Sequence, residues 1–183
     1  MKTLKWLGII LGSLIIIAIV GFQVLKYNTK KHSPQEVVTY KGNGYDIEVD
    51  YSRPFKKGRD IFGGLVPYGE TWRTGANEAT TFETQTDLIV KDQELPAGKY
   101  TLWTVPEKQT WEVIFNEGQY GWGVDFSAEA SRDPELDVVN VTVPAYTSIK
   151  VREQFTIEVD GHPVTLSLYW DNTRVDVPLE LKN

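Results

Sequence analysis

Tyr45-Asp46-Ile47-Glu48-Val49-Asp50-Tyr51 alternates apolar and polar side chains along its whole length. That is the period of an extended strand with one face buried and the other in water. Similar runs recur at 80–84, 87–91, 99–105, 110–116, 136–143, 153–160, 164–170 and 174–181. They are rich in Val, Ile, Thr, Tyr, Phe and Trp, which fit a pleated, half-buried surface. Asp160-Gly161 between two of the runs is a hairpin signal, because both residues tolerate positive φ. Pro96-Ala97-Gly98 and Asp171-Asn172-Thr173 read as further turns. Residues 127–132 have room for one short helical turn, and nothing else beyond Leu25 sustains a helical period. Eight or nine short strands at this spacing predict an all-β domain. The architecture expected is an antiparallel β-sandwich, or a barrel-like variant of one.

Upstream lies a segment of another kind. Trp6 to Leu25 is an uncharged run of 20 residues dense in Ile, Leu and Val, and a helix of that length spans a bilayer's hydrocarbon core of about 30 Å. Trp6, Phe22 and Tyr27 fall near its edges, where interfacial aromatics are favoured. A cleavable signal peptide has a shorter apolar stretch and a small-x-small cleavage site, which Gly21-Phe22-Gln23-Val24-Leu25 does not offer. The expected organisation is a short tail at 1–5, a transmembrane anchor at 6–25, a polar linker at 26–36 containing Pro34, and the β-domain at 37–183. Lys2 and Lys5 with the N-terminal amine flank one side of the anchor, and Lys26, Lys30 and Lys31 the other. Positive-inside counting therefore ends in a tie.

Composition removes several function classes. The formal charge is −6 and basic residues form no long stripe, which argues against nucleic acid as a partner. With no cysteine there is no disulfide, thiolate catalysis or Cys-based zinc site. The two histidines are His32, beside the anchor, and His162, in the predicted Asp160-Gly161 hairpin next to Pro163. A Ser-His-Asp triad would depend on His162, and no nucleophile motif accompanies it. Glycine spacing matches neither a P-loop nor a dinucleotide fold. Asp46 and Asp50 read as a solvated strand face, and no EF-hand spacing is present. The expectation is no metal and no cofactor.

Arg53 to Asn77 breaks the strand pattern. This long connection holds Gly58, Gly63, Gly64, Gly69 and Gly75, and three of the chain's six arginines, Arg53, Arg59 and Arg73. Ile61, Phe62, Leu65, Val66, Tyr68 and Trp72 require burial, so an ordered, packed loop is expected. From Arg53 to Glu78 five cations face Asp60, Glu70 and Glu78, a local reversal of the chain's charge. Guanidinium forks among glycines suit carboxylate, sulfate or phosphate groups. The plainer reading pairs the arginines with those acids and makes the loop a clasp. Trp122, between Gly121 and Gly123, is the tryptophan best placed for an exposed stacking platform, whereas Trp103, Trp111 and Trp170 lie in strand runs and read as core. Glu70 and Glu78 are the one pair that could serve glycoside hydrolysis, if folding brings them into one cleft.

The same region carries a family resemblance. Tyr51-Ser52-Arg53-Pro54, Lys57-Gly58-Arg59, the run from Ile61 to Gly69 and the run from Trp72 to Thr80 resemble the signature of a bacterial family of exported domains, domain-of-unknown-function family 2911. Leu95 to Leu102, Trp111 to Asn116 and Leu166 to Val175 are similar to it as well, so the likeness covers roughly 37–178. Members typically begin with an export signal, which implies a domain outside the cytoplasm and breaks the orientation tie. The resemblance implies no activity and no catalytic residue. The expected protein is a single-pass protein of the bacterial inner membrane with an extracytoplasmic, non-enzymatic binding domain. Its ligand-binding candidates are Arg53, Arg59, Trp72, Arg73, Asn77, Glu78 and Trp122, and its partner is an unknown envelope ligand or protein of anionic or sugar character. A carbohydrate-active hydrolase using Glu70 and Glu78, and a purely structural domain clasped by the 53–78 loop, are the alternatives.

Overall fold

Ile47, Val49 and Tyr51 are buried in the domain core while Glu48 between them is exposed, so the strand alternation holds side chain by side chain. The structure is a computed structural model and describes residues 2–125 and 127–182. It separates into two units, one ending at His32 and one beginning at Ser33.

The first unit is a single helix, α1 (Lys2–His32). Its described apolar side chains are exposed, and it is long and apolar enough to cross a membrane, a property that anchors and signal sequences share. Residues 26–32, read as linker, continue this helix, and strand begins at Gln35. Polar residues without apolar periodicity gave no helical signal there, yet elongating an existing helix needs no new nucleus.

Among the described residues the second unit contains nine strands: β1 (Gln35–Gly42), β2 (Tyr45–Ser52), β3 (Thr81–Thr84), β4 (Leu88–Val90), β5 (Gln93–Leu95), β6 (Gly98–Pro106), β7 (Thr110–Asn116), β8 (Asp137–Asp160) and β9 (Val164–Leu181). They form an open antiparallel sheet in the order β1-β2-β3-β6-β7-β8-β9-β4-β5, folded over as a sandwich. The fold depends on β8. Its first part pairs with β7 through Thr110↔Pro144, and from Ala145 it pairs with β9 instead. One strand thus belongs to both layers, and the corner between them falls at 145–152. Ile47, Phe82, Phe115, Phe155, Trp170 and Leu179 are among the side chains that fill the space between the layers.

Several expectations are corrected here. The paired runs 136–143 with 153–160, and 164–170 with 174–181, are each one continuous strand. Asp171-Asn172-Thr173 is not a turn; Asp171 takes φ 53° inside β9, opposite an irregular stretch of β8. Residues 127–132 form no helix, and a short 3-10 turn falls instead at Pro134–Leu136, capped by the Asp133 side chain. The Asp160-Gly161 hairpin is present as predicted.

Trp103 and Ile114 are fully buried but lie on the other face of the β6–β7 pair from Leu102 and Phe115. The 117–133 connection covers them: the Tyr120 ring packs edge-on to Trp103 at 5.4 Å, and its hydroxyl accepts from Asp133 N–H at 2.8 Å. This cover carries Gly121, Trp122 and Gly123 to the end of the 53–79 loop.

Candidate functional site

The 53–79 loop is ordered because it supplies edges that the strands leave unpaired. Lys56 N–H donates to Glu153 O at 2.6 Å and Phe155 N–H to Pro54 O at 2.9 Å, so 53–56 lies antiparallel to the returning half of β8. Further on, Trp72 and Thr104 exchange two backbone hydrogen bonds, 2.7 and 3.0 Å, and Leu102 N–H donates to Thr80 O at 2.8 Å. The loop therefore partners β6 where β3 ends. Each backbone group so paired escapes the penalty of burial without a partner.

The sequence-nominated residues divide into two groups. Arg53 belongs to the clasp: Nε donates to Phe155 O at 3.0 Å, Nη2 to Thr156 Oγ1 at 2.9 Å, and Nη1 to the Glu36 carboxylate. Arg59 turns back onto its own loop, donating to Lys56 O at 3.0 Å and Phe55 O at 2.5 Å. Trp72 is no surface platform. It packs with Trp170 at 5.9 Å and 18° between planes, and with Phe155, Trp111 and Phe62 edge-on, while its Nε1 donates to Gly75 O at 3.0 Å. Asn77 is buried and its amide donates to Ser33 O at 3.1 Å. Lys56, counted among the loop cations, pairs with Asp171.

Arg73, Glu78 and Trp122 form the second group. Arg73 lies over the Trp122 ring, 5.9 Å from guanidinium carbon to centroid, and its Nη1 donates to Trp122 O at 2.9 Å. Burial lowers the Arg73 pKa, and the charge of nearby Glu78 works against that shift. Gly123 makes the approach possible: it takes φ +75°, and a Cβ there would stand 2.9 Å from Ala79 Cβ and 3.2 Å from Arg73 Cβ.

Immediately beside this pair is a cleft of about 210 Å³. Glu78, Ala79, Tyr120 and Gly121 form one side, and residues of three strands, Asp50, the buried Ser52, Thr81 and Lys99, the other. The backbone joins the two features, since Ala79 N–H donates to Gly121 O at 3.1 Å. Trp122 remains 38 % exposed. Glu70, by contrast, is exposed and does not line this cleft. Sequence reasoning missed Asp50, Ser52, Thr81 and Lys99. The alternation of β2 placed Asp50 on the polar face, but only the register Asp50↔Thr81 puts the strands beside each other. Among the described residues no three His, Asp or Glu side chains converge as a metal site would need.

Residues 33–179 match the family described as a protein of unknown function, DUF2911, and the chain belongs to it. The matched span coincides with the β-domain and excludes the apolar helix. No curated protein and no solved structure shows significant similarity to the chain.

Proposed function

We propose that this is a membrane-tethered, envelope-facing, non-enzymatic binding domain, and that its recognition site is the Arg73–Trp122 pair with the adjoining cleft. The observation that carries the reading is the state of Arg73. A guanidinium partly withdrawn from bulk water and laid on an indole, with the charge of Glu78 acting on it, is a cation that can take an anion supplied from outside. The surroundings favour an acidic sugar. A carboxylate would meet the Arg73 guanidinium, Trp122 would offer a ring face, and Thr81, Asp50 and Glu78 would meet hydroxyls.

The clasp reading is favoured for the first half of the loop, by the three bonds of Arg53 and the packing of Trp72. The two readings divide the loop between them. Hydrolysis by Glu70 and Glu78 draws no support from the geometry, because only Glu78 lines the cleft.

The test is capture of acidic oligosaccharides by the full chain, compared between Arg73→Ala and Arg59→Ala. Loss on Arg73→Ala alone is the expected result. Equal binding by both variants overturns the assignment of the site.

A further inference from the structure

β1 is an edge strand: β2 pairs with one side of it, and no hydrogen bond among the described residues reaches the main chain of Val37 or Thr39 on the other. Two features fix the phase of the β1–β2 ladder. Pro34 O accepts from Arg53 N–H at 2.8 Å, and the two-residue turn Asn43-Gly44 closes on the pair Gly42↔Tyr45. In an antiparallel pair, residues that exchange hydrogen bonds alternate with residues that do not. Glu36, Val38 and Tyr40 therefore bond inward to β2, while Val37, Thr39 and Lys41 turn their N–H and C=O groups to the open side. Val37 is 51 % exposed, whereas Val38 and Tyr40 pack on the core.

Elsewhere the domain guards such edges. β5, at the opposite end of the sheet order, is three residues long. The first part of β8 has no strand on the side away from β7, and side chains close it instead. Gln93 donates to Asn140 O at 2.7 Å and accepts from Asn140 N–H at 3.0 Å, and Lys91 Nζ donates to Thr142 O at 2.8 Å. β1 runs for eight residues with no proline and no register shift against β2. Its two charges are engaged within the domain, Glu36 by Arg53 and Lys41, beside the turn, by Asp46. Short strands, prolines, bulges and free charges are the usual protection against edge pairing. A long edge without them is a docking surface for an extended strand.

The strand that fits is β1 itself. Antiparallel pairing centred on Val38 sets Val37 against the partner's Thr39 and Gln35 against the partner's Lys41. All of these face across with their main-chain groups, for about eight hydrogen bonds. On the core side Val38 meets the partner's Val38, and Tyr40 the partner's Glu36. β-Branched residues then stand opposite one another on both faces, which cross-strand packing favours, and no like charges are opposed. The outward acids of β2, Asp46, Glu48 and Asp50, come no nearer to their mates than three strand spacings, about 14 Å. That exceeds the screening length of about 8 Å at physiological ionic strength.

We propose that the chain forms a two-fold dimer in which β1 pairs antiparallel with β1 of a second copy, making one continuous sheet of the two. The proposal does not depend on what the Arg73–Trp122 pair binds.

Two variants of the full chain in detergent micelles test it. Thr39→Pro deletes an N–H that β2 does not use, so the β1–β2 ladder is spared while the open edge is blocked. Lys41→Cys, in a chain otherwise free of cysteine, carries a nitroxide label. Pairing centred on Val38 puts the two labelled positions six strand residues apart, about 20 Å between Cα atoms. The expected result is a dimer by sedimentation velocity with a single label distance near that value by pulsed EPR. Thr39→Pro should then sediment as a monomer with the near-ultraviolet dichroism of the unmutated chain. A monomeric unmutated chain overturns the proposal. So does a dimer whose labels show no defined distance near 20 Å, which assigns association to α1 or another face. A folded Thr39→Pro variant that stays dimeric overturns it as well. Should that variant lose its near-ultraviolet signal, the label distance alone decides.

Discussion

Arg53 Nε donates to the carbonyl oxygen of Phe155 at 3.0 Å, joining the end of β2 to the half of β8 that returns through the second layer. The same guanidinium holds Glu36 of β1 and the Thr156 hydroxyl. One side chain thus ties three strands at the place where the open sheet folds over. Arg73, twenty residues later in the same loop, instead donates to Trp122 O and lies over the Trp122 ring. The two arginines have the same chemistry and different employment.

Arg53→Ala should lower stability by about 2 kcal/mol, the scale of a charge-assisted hydrogen-bond cluster discounted for partial solvent screening. Arg53→Lys should recover only part of this, because a point ammonium cannot reach three acceptors in different directions. Urea unfolding of the domain measures both. An unchanged midpoint for Arg53→Ala would remove the clasp.

Trp72→Ala should cost about 3–5 kcal/mol, as for other large aromatic truncations in packed cores. Trp122→Ala should cost less than about 1 kcal/mol, being a partly exposed loop residue. Thermal melts of the two variants decide the matter. Similar losses would mean that Trp122 is a structural residue after all.

The strand pattern and the family signature were legible in the sequence because both rest on local order. Alternation marks β2 through Ile47, Val49 and Tyr51, and glycines mark the loop. β1 was missed because as an edge strand it buries little, with Val37 51 % exposed. The unity of β8 was hidden because a bent strand and two strands share one composition, and only pairing with β7 and then β9 separates them. The candidate site was half legible. Arg73, Glu78 and Trp122 could be nominated by type, but Trp72 has the same type as Trp122 and packs against the core instead. Burial comes from tertiary packing, which a list of residues does not contain.

Tyr51 gives a pH prediction. Its hydroxyl accepts from Ile157 N–H at 2.8 Å, and burial pushes its pKa up to about 12, with the Ile157 hydrogen bond opposing. A raised folded-state pKa means stabilisation that is complete below the ordinary value of 10.0 and is lost as pH rises toward 12. Tyr51→Phe should be less stable at neutral pH by about 1–3 kcal/mol, the cost of an unpaired buried N–H. Its deficit should shrink by about 1.4 kcal/mol per pH unit over the alkaline window. Unfolding curves at pH 8 to 12 would show it, and a constant deficit would contradict the assignment.

Gly123→Ala should disturb the candidate site while sparing the core. The added methyl meets Ala79 Cβ and Arg73 Cβ at a backbone angle that favours glycine. The expected outcome is a loss of about 1–2 kcal/mol with displacement of the Arg73–Trp122 contact, read as a change in Trp122 fluorescence. Unchanged emission would mean that Gly123 does not position Arg73.

The most direct test of the binding account follows the indole N–H resonance of Trp122 in an isotope-labelled protein titrated with hexuronate oligosaccharides. A saturable shift of that resonance, abolished by Arg73→Ala and retained in Arg59→Ala, is the result predicted here. A resonance that does not move, or moves equally in the Arg73→Ala variant, would contradict the assignment of recognition to this pair.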